Sequence, residues 1–187
     1  MTCSKMTKFI LTLFLSGITA FAGICQTNPI KVACVGDSVT YGSGIEDRDN
    51  NSYPAQLQKM LGENYLVGNF GKPGATLLSK GHRPYFKQEQ FTDAMNFHGE
   101  IAVVHLGLND TDPRNWPNYR DEFHHDYSAL LDSLRKSNPK VRIIMALTSP
   151  ITHAHKRFAS STRGWHEQIQ AEIKRISEIE GVELIDF

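Results

Sequence analysis

Several things are scarce in this sequence, and each shortage narrows what the chain can be. Charge of one sign is missing: 20 Lys and Arg stand against 20 Asp and Glu in 187 residues. No overall field draws such a chain to nucleic acid or to an anionic membrane surface. Cysteine is nearly absent, and the spacing of Cys3, Cys25 and Cys34 supports neither a disulfide framework nor a Cys/His zinc set. No apolar run approaches the roughly 20 residues of a bilayer span. Neither Gly-x-Gly-x-x-Gly nor Gly-Lys-Ser/Thr follows a strand-like segment, which disfavours phosphate-bearing cofactors. A Gly-x-Ser-x-Gly elbow is also lacking, because Thr40 occupies the place of its second glycine. There is no internal repeat or interdomain linker. The expectation is one domain with no cofactor and no metal, acting on a neutral small molecule or glycan.

The N-terminus has the features of an export signal. Lys5 and Lys8 precede an apolar run from Phe9 to Ile18, and Ala20-Phe21-Ala22 supplies small residues at the cleavage spacing. Residues 1–22 are therefore expected to be a signal peptide, residues 27–187 the mature domain, and the product periplasmic or secreted. Ile24 stands where a small residue precedes a lipidated cysteine, so Cys25 is not expected to carry a lipid.

Beyond that segment, short β-branched runs alternate with stretches of helical periodicity, the pattern of a parallel α/β sheet. Strands are expected at Ile30–Val35, Tyr65–Asn69, Ile101–Leu106, Val141–Leu147 and Val182–Phe187. Between them, apolar stripes mark helices. Tyr53, Leu57, Met60 and Leu61 follow a Ser52 cap, and a further helix spans Phe86 to Phe97. Phe123, Tyr127, Leu130, Leu131 and Leu134 form a third stripe, and Trp165, Ile169, Ile173 and Ile176 a fourth. The fold expected is an open, doubly wound, five-stranded parallel sheet of flavodoxin type, whose ligands bind beyond the carboxyl ends of the strands.

Three loops at that edge carry polar chemistry. Gly36-Asp37-Ser38 follows the first strand, Asn69-Phe70-Gly71-Lys72-Pro73-Gly74 the second, and Gly107-Leu108-Asn109-Asp110 the third. Each alone reads as turn chemistry. Together, in order and each after its strand, they resemble the blocks of the SGNH (GDSL-type) hydrolases. That resemblance implies a serine carboxylester hydrolase with Ser38 as nucleophile. It also implies oxyanion donors from the Ser38 and Gly74 backbone and the Asn109 side chain. Asp37 is expected only to bond nearby amides, and Asp110 to be a satisfied turn residue.

In overall look the chain is similar to carbohydrate esterases of that family, sialate O-acetylesterases in particular. Arg114, His155, Lys156 and Arg157, in loops after the third and fourth strands, are the candidates to pair with a sugar carboxylate. The family's fourth block, Asp-x-x-His after the fifth strand, is not present before the sequence stops at Asp186-Phe187. By resemblance this is a C-terminally truncated domain, impaired because a serine needs an adjacent base. The other reading is a noncatalytic carbohydrate-binding module on the same fold. His153 and His155 lack the acid spacing of a substitute base, and His105 sits in an apolar strand as a core residue. His124 and His125 are expected on a helix surface, and Asp186 at a strand end.

Overall fold

The computed structural model describes residues 28–150 and 162–186. The signal segment, Cys25, His153, His155, Lys156 and Arg157 lie outside the described residues. Five parallel strands are present: β1 (Ile30–Gly36), β2 (Tyr65–Gly71), β3 (Ile101–His105), β4 (Arg142–Ala146) and β5 (Glu183–Ile185), in the order β2-β1-β3-β4-β5. That order is the doubly wound arrangement, with its switch point between β1 and β3. Register places Gly36 opposite both Gly71 and His105. The carboxyl ends of β1, β2 and β3, and the loops that leave them, therefore meet at one edge.

The helices are α1 (Ser38–Tyr41), α2 (Arg48–Asn51), α3 (Tyr53–Leu61), α4 (Glu89–Phe97), α5 (Trp116–Tyr119), α6 (Phe123–Ser137) and α7 (Thr162–Glu180). The helix expected over Phe86 to Phe97 is divided: a single 3-10 turn at Tyr85–Lys87 precedes α4, with Gln88 extended between them. Ser52 stands at the N-cap of α3 with extended backbone, but its side chain makes no capping hydrogen bond. Pro54, in the first turn, removes one of the donors that need a cap.

The two faces of the sheet are unequally covered. On one, Ala33, Val35, Ala102, Val104, Ile143 and Met145 pack against the stripes of α4, α6 and α7 in a single core. This follows from the period of two along a strand, which sends alternate residues to this face. On the other, Val32, Cys34 and Val103 pack against α3 through Tyr53, Leu57 and Leu61. Beside α3, over β3 to β5, runs a groove of about 770 Å³ lined by Leu57, Val103, Ile144 and Ile185. Met60, expected in the core stripe of α3, is instead 83% exposed. Its position in the helix carries it past the sheet contact to the rim of this groove.

Cys34 is fully buried at the centre of β1, and burial pushes its thiol up to about 12. No helix among the described residues is long and apolar enough to cross a membrane.

Candidate active site

Ser38 opens α1 directly after β1 and is half-buried. The turn before it is set by contact distances. A Cβ at Gly36 would fall 2.0 Å from Thr40 Oγ1 and 2.7 Å from the His105 carbonyl; one at Gly71 would fall 2.1 Å from the Tyr41 amide nitrogen. Only hydrogen fits at either position, which lets β2 lie against the first turn of α1. Asp37 is buried, and its Oδ1 accepts the Val39 N–H at 2.9 Å as the cap of α1. Thr40, also buried, shares a hydrogen bond of 3.1 Å with the Tyr53 hydroxyl and ties α1 to α3. Asn69 accepts the Gly71 N–H at 3.0 Å and braces the end of β2.

The loop after β2 begins with a tight turn. Ala75 N–H bonds Lys72 O at 3.0 Å, Pro73 holds the second position and Gly74 the third with φ +77°. Those are the marks of a type II turn, in which the third residue needs positive φ. Neither the Ser38 N–H nor the Gly74 N–H is donated to any group among the described residues. Asn109, almost fully buried in the 3-10 turn Leu108–Thr111, donates its amide to Ala75 O at 3.0 Å and to Asp37 Oδ2 at 3.3 Å. The structure thus brings together Asp37, the Gly74–Ala75 segment and Asn109, with Ser38 adjoining Asp37.

The rest of that loop, through residue 82, is pegged from outside. Asp110, fully buried, accepts the N–H groups of Leu77 and Leu78 at 2.9 and 2.8 Å. Asp126, from the first turn of α6, accepts Ser79 N–H at 2.7 Å. Asn115 accepts His82 N–H at 3.0 Å while its own amide donates to Asn109 O at 2.9 Å. Asp37 does bond a nearby amide, as expected. Asp110 differs, since its amides lie 32 and 33 residues away in sequence. No local signal marked it, because a peg is defined by the loop it meets rather than by its own neighbours. Burial raises the Asp110 carboxyl to about 7, against the opposing pull of its two amide donors.

The histidines are placed as follows. His105 is buried at the end of β3, and Ser149 N–H donates to its Nε2 at 3.2 Å. Burial lowers it to about 4, so its ring is neutral near pH 7. His166, in the first turns of α7, bonds Thr148 Oγ1 at 2.9 Å. His125 lies on the α6 surface with 87% of its side chain exposed, and Asp186 is exposed just past β5. Among the described residues no imidazole hydrogen-bonds Ser38. Arg114 forms a two-pronged ion pair with Asp112, both bonds 2.8 Å, so its charge is matched within its own loop. No group of three or more His, Cys, Asp or Glu among the described residues is arranged to hold a metal ion.

Residues 34–187 match the model of the GDSL-like lipase/acylhydrolase family. Over 110 residues, 59% of its length, the chain is 44% identical to an acetylxylan esterase of Xylanibacter ruminicola. It spans 23% of that protein, less than a quarter of its length. Among solved structures it resembles the native aryl esterase of M. smegmatis, with TM-score 0.64, 16% identity and 83% of each chain covered. It also resembles a carbohydrate acetylesterase from Sinorhizobium meliloti, with TM-score 0.65, 15% identity and again 83% of each chain. At such identities the shared property is the fold. The family match covers most of the sequence, and the sheet order and the three loops agree with it: the chain belongs to the GDSL-like lipase/acylhydrolase family of carboxylester hydrolases.

Proposed function

We propose that the protein is a serine carboxylester hydrolase that removes O-acetyl groups from carbohydrates, with sialate-type acidic sugars as one substrate class. The observation that carries this reading is the pair of undonated N–H groups, on Ser38 and Gly74, flanking the Asn109 amide at one sheet edge. When a hydroxyl attacks an acetyl carbonyl, negative charge develops on the carbonyl oxygen. Donors fixed in place beforehand stabilise that charge without reorganising. Ser38 Oγ is the attacking group. The 3.3 Å bond from Asn109 to Asp37 is longer than its 3.0 Å bond to Ala75 O, and a developing oxyanion can replace it at small cost. Aryl and acetylxylan esters are the groups named for the related proteins above, and the acetyl assignment to this chain is supported by the second of these.

A general base within hydrogen-bond reach of Ser38 completes the chemistry. By family resemblance it comes from an Asp-x-x-His block that follows the fifth strand. The second reading is a noncatalytic carbohydrate-binding module on the same scaffold, in which the same pocket holds a glycan without attack by Ser38.

One assay separates the two readings. Hydrolysis of a chromogenic acetyl ester is measured for the protein and for Ser38→Ala, alongside binding of an acetylated glycan. A Ser38-dependent rate supports the hydrolase, whereas equal rates with retained binding give the module. Within the hydrolase reading, Asn109→Ala lowers kcat with little change in KM. The loss of one oxyanion donor of this type is about 2.7 to 4 kcal/mol.

A further inference from the structure

The Pro73–Gly74 peptide is the central unit of the Lys72–Ala75 turn, and its two ends face different tasks. Its N–H, on Gly74, is undonated among the described residues. Its carbonyl, on Pro73, accepts the Arg83 Nη1 at 3.0 Å. In a planar trans peptide the carbonyl and the N–H point in opposite directions. A bond that fixes one therefore fixes the other.

We propose that Arg83 is a positioning residue for the oxyanion site, latching the Pro73–Gly74 peptide so that the Gly74 N–H faces the reacting carbonyl. This rests on the hydrolase reading given above.

The latch is needed because this peptide has an alternative. Rotation of the central unit by roughly half a turn converts type II geometry to type I, and glycine at the third position tolerates both. The flipped unit would present the Pro73 carbonyl, a partial negative charge, where the oxyanion develops. The turn's own Lys72–Ala75 hydrogen bond is common to both forms and does not choose between them. The bond from Arg83 does choose, because it exists only while the Pro73 carbonyl points outward.

Arg83 is well placed to act as a latch. Its backbone carbonyl accepts Thr76 N–H at 2.9 Å, and Tyr85 N–H returns to Thr76 O at 2.9 Å, so the base of the side chain is tied to the turn it reaches over. The preceding residue is held by Asn115 through the His82 N–H. The guanidinium lies 3.3 Å from where a Gly74 Cβ would stand, so a side chain at residue 74 would displace it. Neighbouring cations are matched by carboxylates, Lys80 by Glu122 and Arg114 by Asp112. Arg83 has no such partner among the described residues, and its hydrogen bond goes to a backbone carbonyl instead. A cationic donor on that carbonyl also polarises the whole peptide and makes its N–H a stronger donor.

The test uses the whole chain, with Arg83→Met to remove the donor and Arg83→Lys to restore a cationic one. Three properties are read: the amide resonance of Gly74 in glycine-labelled protein, the rate at which a fluorophosphonate modifies Ser38, and kcat and KM on p-nitrophenyl acetate. Thermal midpoints are compared in parallel. Arg83→Met is expected to move the Gly74 resonance and to lower the modification rate and kcat about tenfold or more. KM and the midpoint stay close to those of the parent, and Arg83→Lys recovers most of the rate. An unmoved Gly74 resonance in Arg83→Met overturns the proposal. So does a rate loss that only tracks a fall in thermal midpoint. Ser38→Ala serves as the separate control. If parent and Ser38→Ala react equally, the hydrolase reading fails, and the positioning claim is then decided by the Gly74 resonance alone.

Discussion

The two loops that build the site are held in place by opposite means. The Ser38 turn is fixed by close approach: Gly36 and Gly71 leave no space for a Cβ, Asp37 closes the turn with a bond to the Val39 amide, and Thr40 ties it to α3 through Tyr53. The loop from Gly74 to His82 is fixed by remote side chains. Asp110, Asp126 and Asn115 each grip one or two of its amides, and Arg83 reaches back over its first turn. The first device is steric and tolerates no replacement. The second is polar, distributed, and dependent on the charge of its members.

This contrast sets a ranking for substitutions. The largest effect belongs to Gly71→Ala. Its Cβ would press on the Tyr41 backbone rather than on a side chain that can move aside. A loss of at least about 3 kcal/mol in urea unfolding is expected; a loss below 1 kcal/mol would show that α1 can shift and that the turn is not sterically fixed. Asp110→Ala comes next. It strands two buried amides, each costing about 1 to 3 kcal/mol, and should speed hydrogen exchange at Leu77 and Leu78 before it affects β1. Uniform loss of protection across the sheet would mean that the peg supports the whole fold and not one loop.

Asp110→Asn addresses charge. The folded carboxyl titrates at about 7, above the roughly 3.9 of an unfolded aspartate. The native state therefore holds the proton more tightly than the unfolded state does. This contribution is fully present below about pH 4 and is lost as pH rises through 7. Comparing unfolding free energies of parent and Asp110→Asn between pH 4 and 8 should show the parent falling relative to the variant. Parallel curves would remove Asp110 from the pH response. The smallest effect is expected for Tyr127→Phe. The Tyr127 hydroxyl is buried with no hydrogen-bond partner among the described residues, so its removal should leave stability within about 0.5 kcal/mol or raise it slightly.

The same contrast explains how much could be read from the sequence. All five strands follow from short β-branched apolar runs, as strands buried on both faces should, and the stripes of α3, α6 and α7 from a period of 3.6. The three polar loops stand where the strand ends put them. Ser38, Gly74 and Asn109 come from three motifs that each read alone as turn chemistry; their order along the chain singles them out, and the register of β1, β2 and β3 brings the loops that carry them to one edge. Met60 was misplaced because a stripe says which residues share a helix side, not where the partner surface ends. Asp110, Asn115, Asp126 and Arg83 were not legible as supports. Each acts on an amide or a carbonyl that chain folding, rather than spacing, brings into reach. Arg114 shows the converse: a cation in a promising loop whose neighbour two positions back, Asp112, occupies it.

Cys34 offers a built-in clock for this molecule. Its sulfur sits in β1, an interior strand flanked by β2 and β3, with no exposed surface, and its thiolate is strongly disfavoured. An alkylating reagent in excess must therefore wait for the sheet to part. The rate at which the peptide containing Cys34 gains the label then counts openings of the central sheet one molecule at a time. Run beside amide exchange of the Gly74 loop, it gives the two lifetimes whose ratio says how independently the loop and the sheet breathe.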